Sequence, residues 1–201
     1  MGWMMIIFSC GIVSFFAWRR GVLPLWIPVL AIVGSMIMLF AFQDLLLSRF
    51  TNDDNGSARS RVVMMELGFK VLHDHPFFGV GINNFAAVVK HYLTPEFGKE
   101  WFYAIHNKYV LLWVEIGIPG LVTFVWFLFA ALRRSWSVWR RNEPVISMLA
   151  LALGAGILGQ MMHMFVDVFH SKPQVQALWI SSALIAAMYH NFKTEKQISH
   201  E

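Results

Sequence analysis

The chain has 201 residues, of which 57% are hydrophobic and 14% charged, and its mean hydropathy is +0.55. Soluble domains carry about 25% charged residues, so the composition excludes an ordinary soluble domain and indicates a multi-span integral membrane protein. The net charge is only +4, and the long polar loop offsets seven basic residues with six acidic ones, so nothing favours a nucleic-acid partner.

The first apolar stretch runs from Trp3 to Trp18 and follows Met1-Gly2 with no basic leader. It does not resemble a signal peptide, which needs a charged leader and a cleavage site; the expectation is a helix of a longer parent. Cys10 is a lone cysteine without an internal disulfide partner and reads as a packing residue. Arg19-Arg20 ends this stretch. A second, Val22 to Leu47, is long enough for the roughly 20 residues that cross a bilayer and carries Asp44 near its end, where an interfacial role is expected.

A polar loop follows. Thr51 to Ser60 is turn-rich. From Arg61 to Asp74, Glu66, Lys70 and His73 recur at helical spacing with Val62, Met65, Phe69 and Leu72 between them, which predicts an amphipathic interfacial helix. His75-Pro76-Phe77-Phe78-Gly79-Val80-Gly81 breaks it in a tight turn. Gly79 and Gly81 are candidates for the substrate side of the loop, although a GxG without a flanking strand and helix is more often a structural turn than a phosphate nest. Asn83 or Asn84 is placed to cap a short helix reaching Leu93, ended by Pro95.

His106-Asn107 stands where this loop enters the membrane, with nine residues between it and Gly117-Ile118-Pro119-Gly120. Its imidazole is suited to proton transfer near neutral pH; the plainer reading of His-Asn at this place is a helix cap. Gly117, Pro119 and Gly120 predict a kink that neighbouring segments approach closely. Glu115 falls on the opposite helix face from His106 and is not its partner. Further apolar stretches cover Ile118 to Leu132, Val145 to Val168 and Val175 to Phe192. His163, Asp167 and His170, at i, i+4 and i+7, predict one polar face at the end of the fourth span. Cavity lining is favoured there over a metal site or headgroup-level polarity, with Asp167 orienting His106 or Arg61.

Arg19-Arg20, then Arg133-Arg134 with Arg140-Arg141, then Lys193 and Lys196 follow alternate spans and assign one face to the cytoplasm. The fold class is therefore all-α integral membrane, with about five transmembrane helices and one large extracytoplasmic loop containing short interfacial helices. The organisation expected is spans one and two over 1–47, the loop over 48–108, spans three to five over 109–192, and a cytoplasmic tail over 193–201. A transporter or channel is the rival class, though no internal repeat is visible and the polar residues cluster at one face; a non-catalytic assembly partner is the third.

Arg61, fourteen residues to His75-Pro76, then Phe77-Phe78, Gly79-Val80-Gly81 and Phe85, and finally His106-Asn107 with Gly117 and Gly120, form a set that resembles the bacterial O-antigen ligase and polysaccharide polymerase family. The likeness covers roughly residues 59–185, the C-terminal half of such proteins, so the chain reads as a fragment or truncated product. The resemblance implies glycan transfer from an undecaprenyl-diphosphate-linked oligosaccharide donor to a lipid or glycan acceptor. The reaction would take place at the outer face of the bacterial inner membrane, among membrane lipids and without cofactor or metal. It also implies that His106 is the family's catalytic histidine and Arg61 its loop arginine, while Asp167, His163, Gly79 and Gly81 are expected on the substrate side. Arg61 suits a diphosphate because its planar guanidinium forms forked, charge-assisted bonds.

Overall fold

The computed structural model describes residues 2–43, 57–94, 104–141, 143–169 and 171–198, and among these every regular element is helical. In chain order they are α1 (Gly2–Arg19), α2 (Trp26–Ala41), α3 (Ser57–Asp74), α4 (Phe85–Val88) continued by a 3₁₀ turn (Val89–Tyr92), α5 (Lys108–Trp139), α6 (Pro144–His163) and α7 (Lys172–Ile198). Among the described residues two helices, α5 and α6, are long and apolar enough to cross a membrane; α1 and α2 contain shorter apolar segments. The chain divides into two compact units. One contains residues 1–41, 127–163 and 170–201, the other residues 42–126 and 164–169.

In the first unit α1 packs on α2 and α6, and α6 packs on α7. Small residues also let α5 approach α6 closely, as they do between membrane helices: a Cβ on Gly154 would collide with the Ser135 hydroxyl, which donates to the Ala150 carbonyl at 2.7 Å. Ser9 likewise donates across to the Ala155 carbonyl of α6, 2.9 Å away. Large apolar side chains face outward, including Ile37 and Phe40 of α2 and Trp179 and Ile180 of α7. A soluble bundle hides such residues, whereas a helix apolar on all sides is at home in lipid. Cys10, expected as packing, is exposed on this outer surface.

The break between α1 and α2 is wider than the two apolar stretches suggest: α1 ends at Arg19, and α2 begins only at Trp26, four residues into the second stretch. Gly21 takes a left-handed conformation (φ 70°). The Gly21 amide returns to the Trp18 carbonyl at 2.8 Å and the Val22 amide to Ala17 at 3.0 Å. This paired 5→2 and 6→1 arrangement is a Schellman termination, and Pro24 prevents immediate resumption of the helix.

The second unit is organised around α3 and the start of α5. Met64, Leu67, Val71, Leu72, Phe85, Val89, Ile105, Leu111, Val114 and Val168 form its core. The helix expected from Arg61 already begins at Ser57, and of the apolar residues noted in it Leu72 is buried. Met64, Leu67, Gly68 and Val71 point inward, whereas Val62 and Phe69 are 59% and 52% exposed. Apolar residues surround the helix, so periodicity alone does not choose a face. Gly68 does: its missing side chain leaves the space that Ile105 occupies, and a Cβ there would clash with Ile105 Cδ1.

Candidate active site

The loop bearing His75–Gly81 is a strap tied to a break in α5. Gly117 interrupts that helix with φ 71° and ψ −174°, and Pro119 has no amide hydrogen to give the Glu115 carbonyl four residues back. The break therefore leaves peptide groups without helical partners, and these must be satisfied elsewhere. The strap supplies them. The Gly81 amide donates to the Glu115 carbonyl (2.8 Å), the Val80 amide to the Val114 carbonyl (2.9 Å), and the Ile118 amide to the Phe77 carbonyl (3.1 Å). Trp113 adds a bond from its indole N–H to the Pro76 carbonyl, 3.0 Å away.

Such close contact between two backbones requires glycine on both sides. A Cβ on Gly79 would stand 2.6 Å from the Val114 oxygen, and one on Gly117 would collide with the Phe77 carbonyl. Gly79 and Gly81 are both left-handed, at φ 68° and 100°, and the amides of Val80 and Gly81 are committed to α5 carbonyls. The motif residues on either side of the long loop are thus two halves of one joint. Asn84 precedes α4 without a side-chain cap; its amide group instead donates to the Val80 carbonyl at 3.1 Å, bracing the strap. The helical stretch ends at Tyr92, with Leu93 extended, one residue short of the expected Leu93; Pro95 lies outside the described residues.

At the other end of the joint, the start of α5 is fixed three ways. Asn107 Oδ1 accepts the Tyr109 and Val110 amides at 3.0 and 3.1 Å, the pattern of an N-cap. The Lys108 amide donates to the Met164 carbonyl at 2.8 Å, and the Tyr109 and Phe165 rings lie 4.6 Å apart. Capping therefore falls to Asn107. His106 stands just outside the helix, half-buried, next to the fully buried Ile105.

Arg61 is exposed. It precedes Gly68 by seven residues, two helical turns, and so occupies the same stripe of α3 roughly 10 Å further along the axis. Since Ile105 packs at Gly68, that stripe is the one turned toward the segment bearing His106. At the opposite end of α3, Asp74 accepts the Tyr92 hydroxyl at 2.8 Å and lies 3.1 Å from His73 Nδ1. These bonds hold its carboxyl below the usual carboxylate range, the His73 contact contributing most, and the same carboxylate pushes the Tyr92 phenol upward.

His163 and Asp167 do not share the helical face expected from the sequence: α6 ends at His163, and residues 164–169 are turn and irregular backbone. Met164 and Val168 are buried, the Asp167 carboxylate accepts the Val168 amide at 2.7 Å, and Phe169 has φ 54°. The unbroken apolar run from Val145 to Val168 carries no Gly or Pro at this point to announce the stop. Asp167 consequently belongs to the second unit with Arg61, Gly79, Gly81 and His106, whereas His163 belongs to the first. His170 and Asp44 lie outside the described residues. Among the described residues, no group of three or more His, Cys, Asp and Glu is placed to hold a metal ion.

The family model described as O-antigen ligase matches residues 1–125. The chain belongs to the O-antigen ligase family. The matched stretch includes Arg61, the strap, His106 and the Gly117–Gly120 break, and stops before His163 and Asp167. It also reaches into α1 and α2, well ahead of the stretch that carries the sequence motifs. No curated protein matches the chain. Membership in the O-antigen ligase family brings a ligase- or polymerase-type function, lipid-linked glycan donor and acceptor substrates, and association with bacterial membranes.

Proposed function

We propose that this chain transfers a glycan from an undecaprenyl-diphosphate carrier to an acceptor hydroxyl at the outer face of the cytoplasmic membrane. Five spans carry it, with residues 48–108 outside and 193–201 in the cytoplasm. The observation supporting this most strongly is that the O-antigen ligase match contains Arg61, the strap, His106 and the α5 break together.

In this reading His106 takes the proton from the acceptor hydroxyl as that oxygen attacks the anomeric carbon, and the bond to the carrier diphosphate breaks. A neutral imidazole before a helix N-terminus is favoured as a base, because the helix dipole opposes its protonated form. Arg61 grips the diphosphate and stabilises the charge that grows on it. Asp167 lies on the segment held to the first turn of α5 and acts as a positioning residue. Gly79 and Gly81 serve through the strap, which fixes the level at which α5 bends.

Two measurements test the reading. In a Cys10→Ser background, Lys90→Cys is expected to react with a membrane-impermeant maleimide in intact cells and Glu143→Cys only after lysis; the reverse order would remove the outer-face site. Arg61→Lys is expected to lose most transfer at normal protein level, because an ammonium does not reproduce the planar fork. Unaltered transfer by that variant would make Arg61 an interface anchor.

A further inference from the structure

We propose that the first unit binds an anionic phospholipid headgroup at the end of the bundle where the basic clusters gather. A cavity of about 340 Å³ opens there between the end of α1 and the start of α6, lined by Arg20, Val22, Pro144 and Met148. It combines one cationic side chain with apolar walls, the chemistry of a lipid phosphate followed by its acyl chains.

Arg20 is fixed in place before any ligand arrives. The Schellman turn at Gly21 sets Arg20 and Val22 on the cavity wall. The guanidinium stacks on Trp139, 4.4 Å from the ring centre, and Nη1 donates to the Arg141 carbonyl at 3.1 Å. That carbonyl is itself held by the Ser147 hydroxyl at 2.8 Å. A guanidinium has five N–H donors, and a stacked one loses little freedom on forming a forked bond to phosphate. Arg141 lies over Phe192 (5.0 Å), so a second cation is ordered close by. Glu143 is the acidic residue next to Pro144; with Arg19, Arg20, Arg140 and Arg141 around it, the neighbourhood remains strongly positive.

The apolar side continues outward. Val22, Leu25 and Trp26 are each more than half exposed, forming a path from the cavity along which acyl chains can lie. A free phosphate ion would use Arg20 but not this path, and a zwitterionic lipid would use the path while offering the arginines no net charge.

The test uses the purified full chain in detergent, with dioleoylphosphatidylglycerol, dioleoylphosphatidylcholine and inorganic phosphate as probes. Retention is read by native mass spectrometry and stabilisation by thermal unfolding. Phosphatidylglycerol is expected to be retained and to stabilise, and the other two to do neither. Arg20→Lys, which removes the fork and stack but keeps the charge, and Met148→Trp, which fills the cavity, should each weaken phosphatidylglycerol binding about tenfold. Lys90→Ala, an exposed cation of the second unit, should leave it within about twofold. Equal retention of both lipids, equal stabilisation by inorganic phosphate, or parental binding by either folded variant would overturn the site. The two variants alter different walls, so loss of fold in one leaves the other decisive. Glycan transfer is not read, and the outcome is independent of the role given to His106.

Discussion

Substituting His106 by alanine is expected to lower glycan transfer by about 10²–10⁴-fold, the usual contribution of a positioned proton acceptor, while membrane insertion and protein level stay normal. The second half of this expectation rests on the geometry around the residue. The helix start is capped by Asn107 and pinned through Lys108 to Met164, and the core contact is made by Ile105, so none of the three depends on the imidazole. A half-buried side chain beside such an anchored segment contributes little to a bundle held by packing. His106→Gln separates the chemical role from a positional one. The amide retains a hydrogen-bonding group of similar reach but accepts no proton at neutral pH, so it should fail as badly as alanine. Turnover would be measured with purified protein, lipid-linked donor and acceptor. Near-parental turnover by the Gln variant would show that His106 only positions substrate and would move the search for the base to Asp167 or Asp44.

The apolar stretches, the kink at Gly117 and the helix through Arg61–Asp74 are all legible in the sequence, because each has a local cause: hydropathy, a Gly-x-Pro-Gly run, and polar residues at helical spacing. What escapes sequence reasoning depends on partners distant along the chain. Val62 and Phe69 look as suitable for burial as Met64 and Val71, and the choice is made by Ile105 filling the space at Gly68. The end of α6 at His163 follows from Lys108 and Tyr109 capturing Met164 and Phe165, contacts that no window around residue 163 reveals. The strap is half visible. Glycines stand on both sides of a long loop, but their joint purpose emerges only when the carbonyl orphaned by Pro119 is matched with the amide of Gly81. Arg20 reads in the sequence purely as a topological marker, since its cavity exists only once α1 and α6 are packed together.

Among the described glycines, Gly117→Ala is expected to be the most damaging replacement by alanine. The backbone there is left-handed, which strains any residue with a Cβ by about 1–3 kcal/mol, and the added carbon would strike the Phe77 carbonyl. Relief requires moving the strap, but its three backbone bonds satisfy peptide groups at the break in α5, each costing about 1–3 kcal/mol if left unmade in an apolar setting. The two penalties cannot be avoided together, so the variant should either lose a large part of the protein's stability or release the strap. Gly156→Ala provides the contrast. That glycine lies within α6, and a Cβ added to it would meet nothing within 4 Å, so alanine there should be neutral or stabilise by up to about 1 kcal/mol through helix propensity. Thermal unfolding in detergent measures the difference, and limited proteolysis reports the strap, with new cleavage expected between His75 and Asn84 only in Gly117→Ala. Equal melting of the two variants with no new cleavage would mean that α5 bends without the strap, and the joint would then have no part in fixing the segment that carries His106.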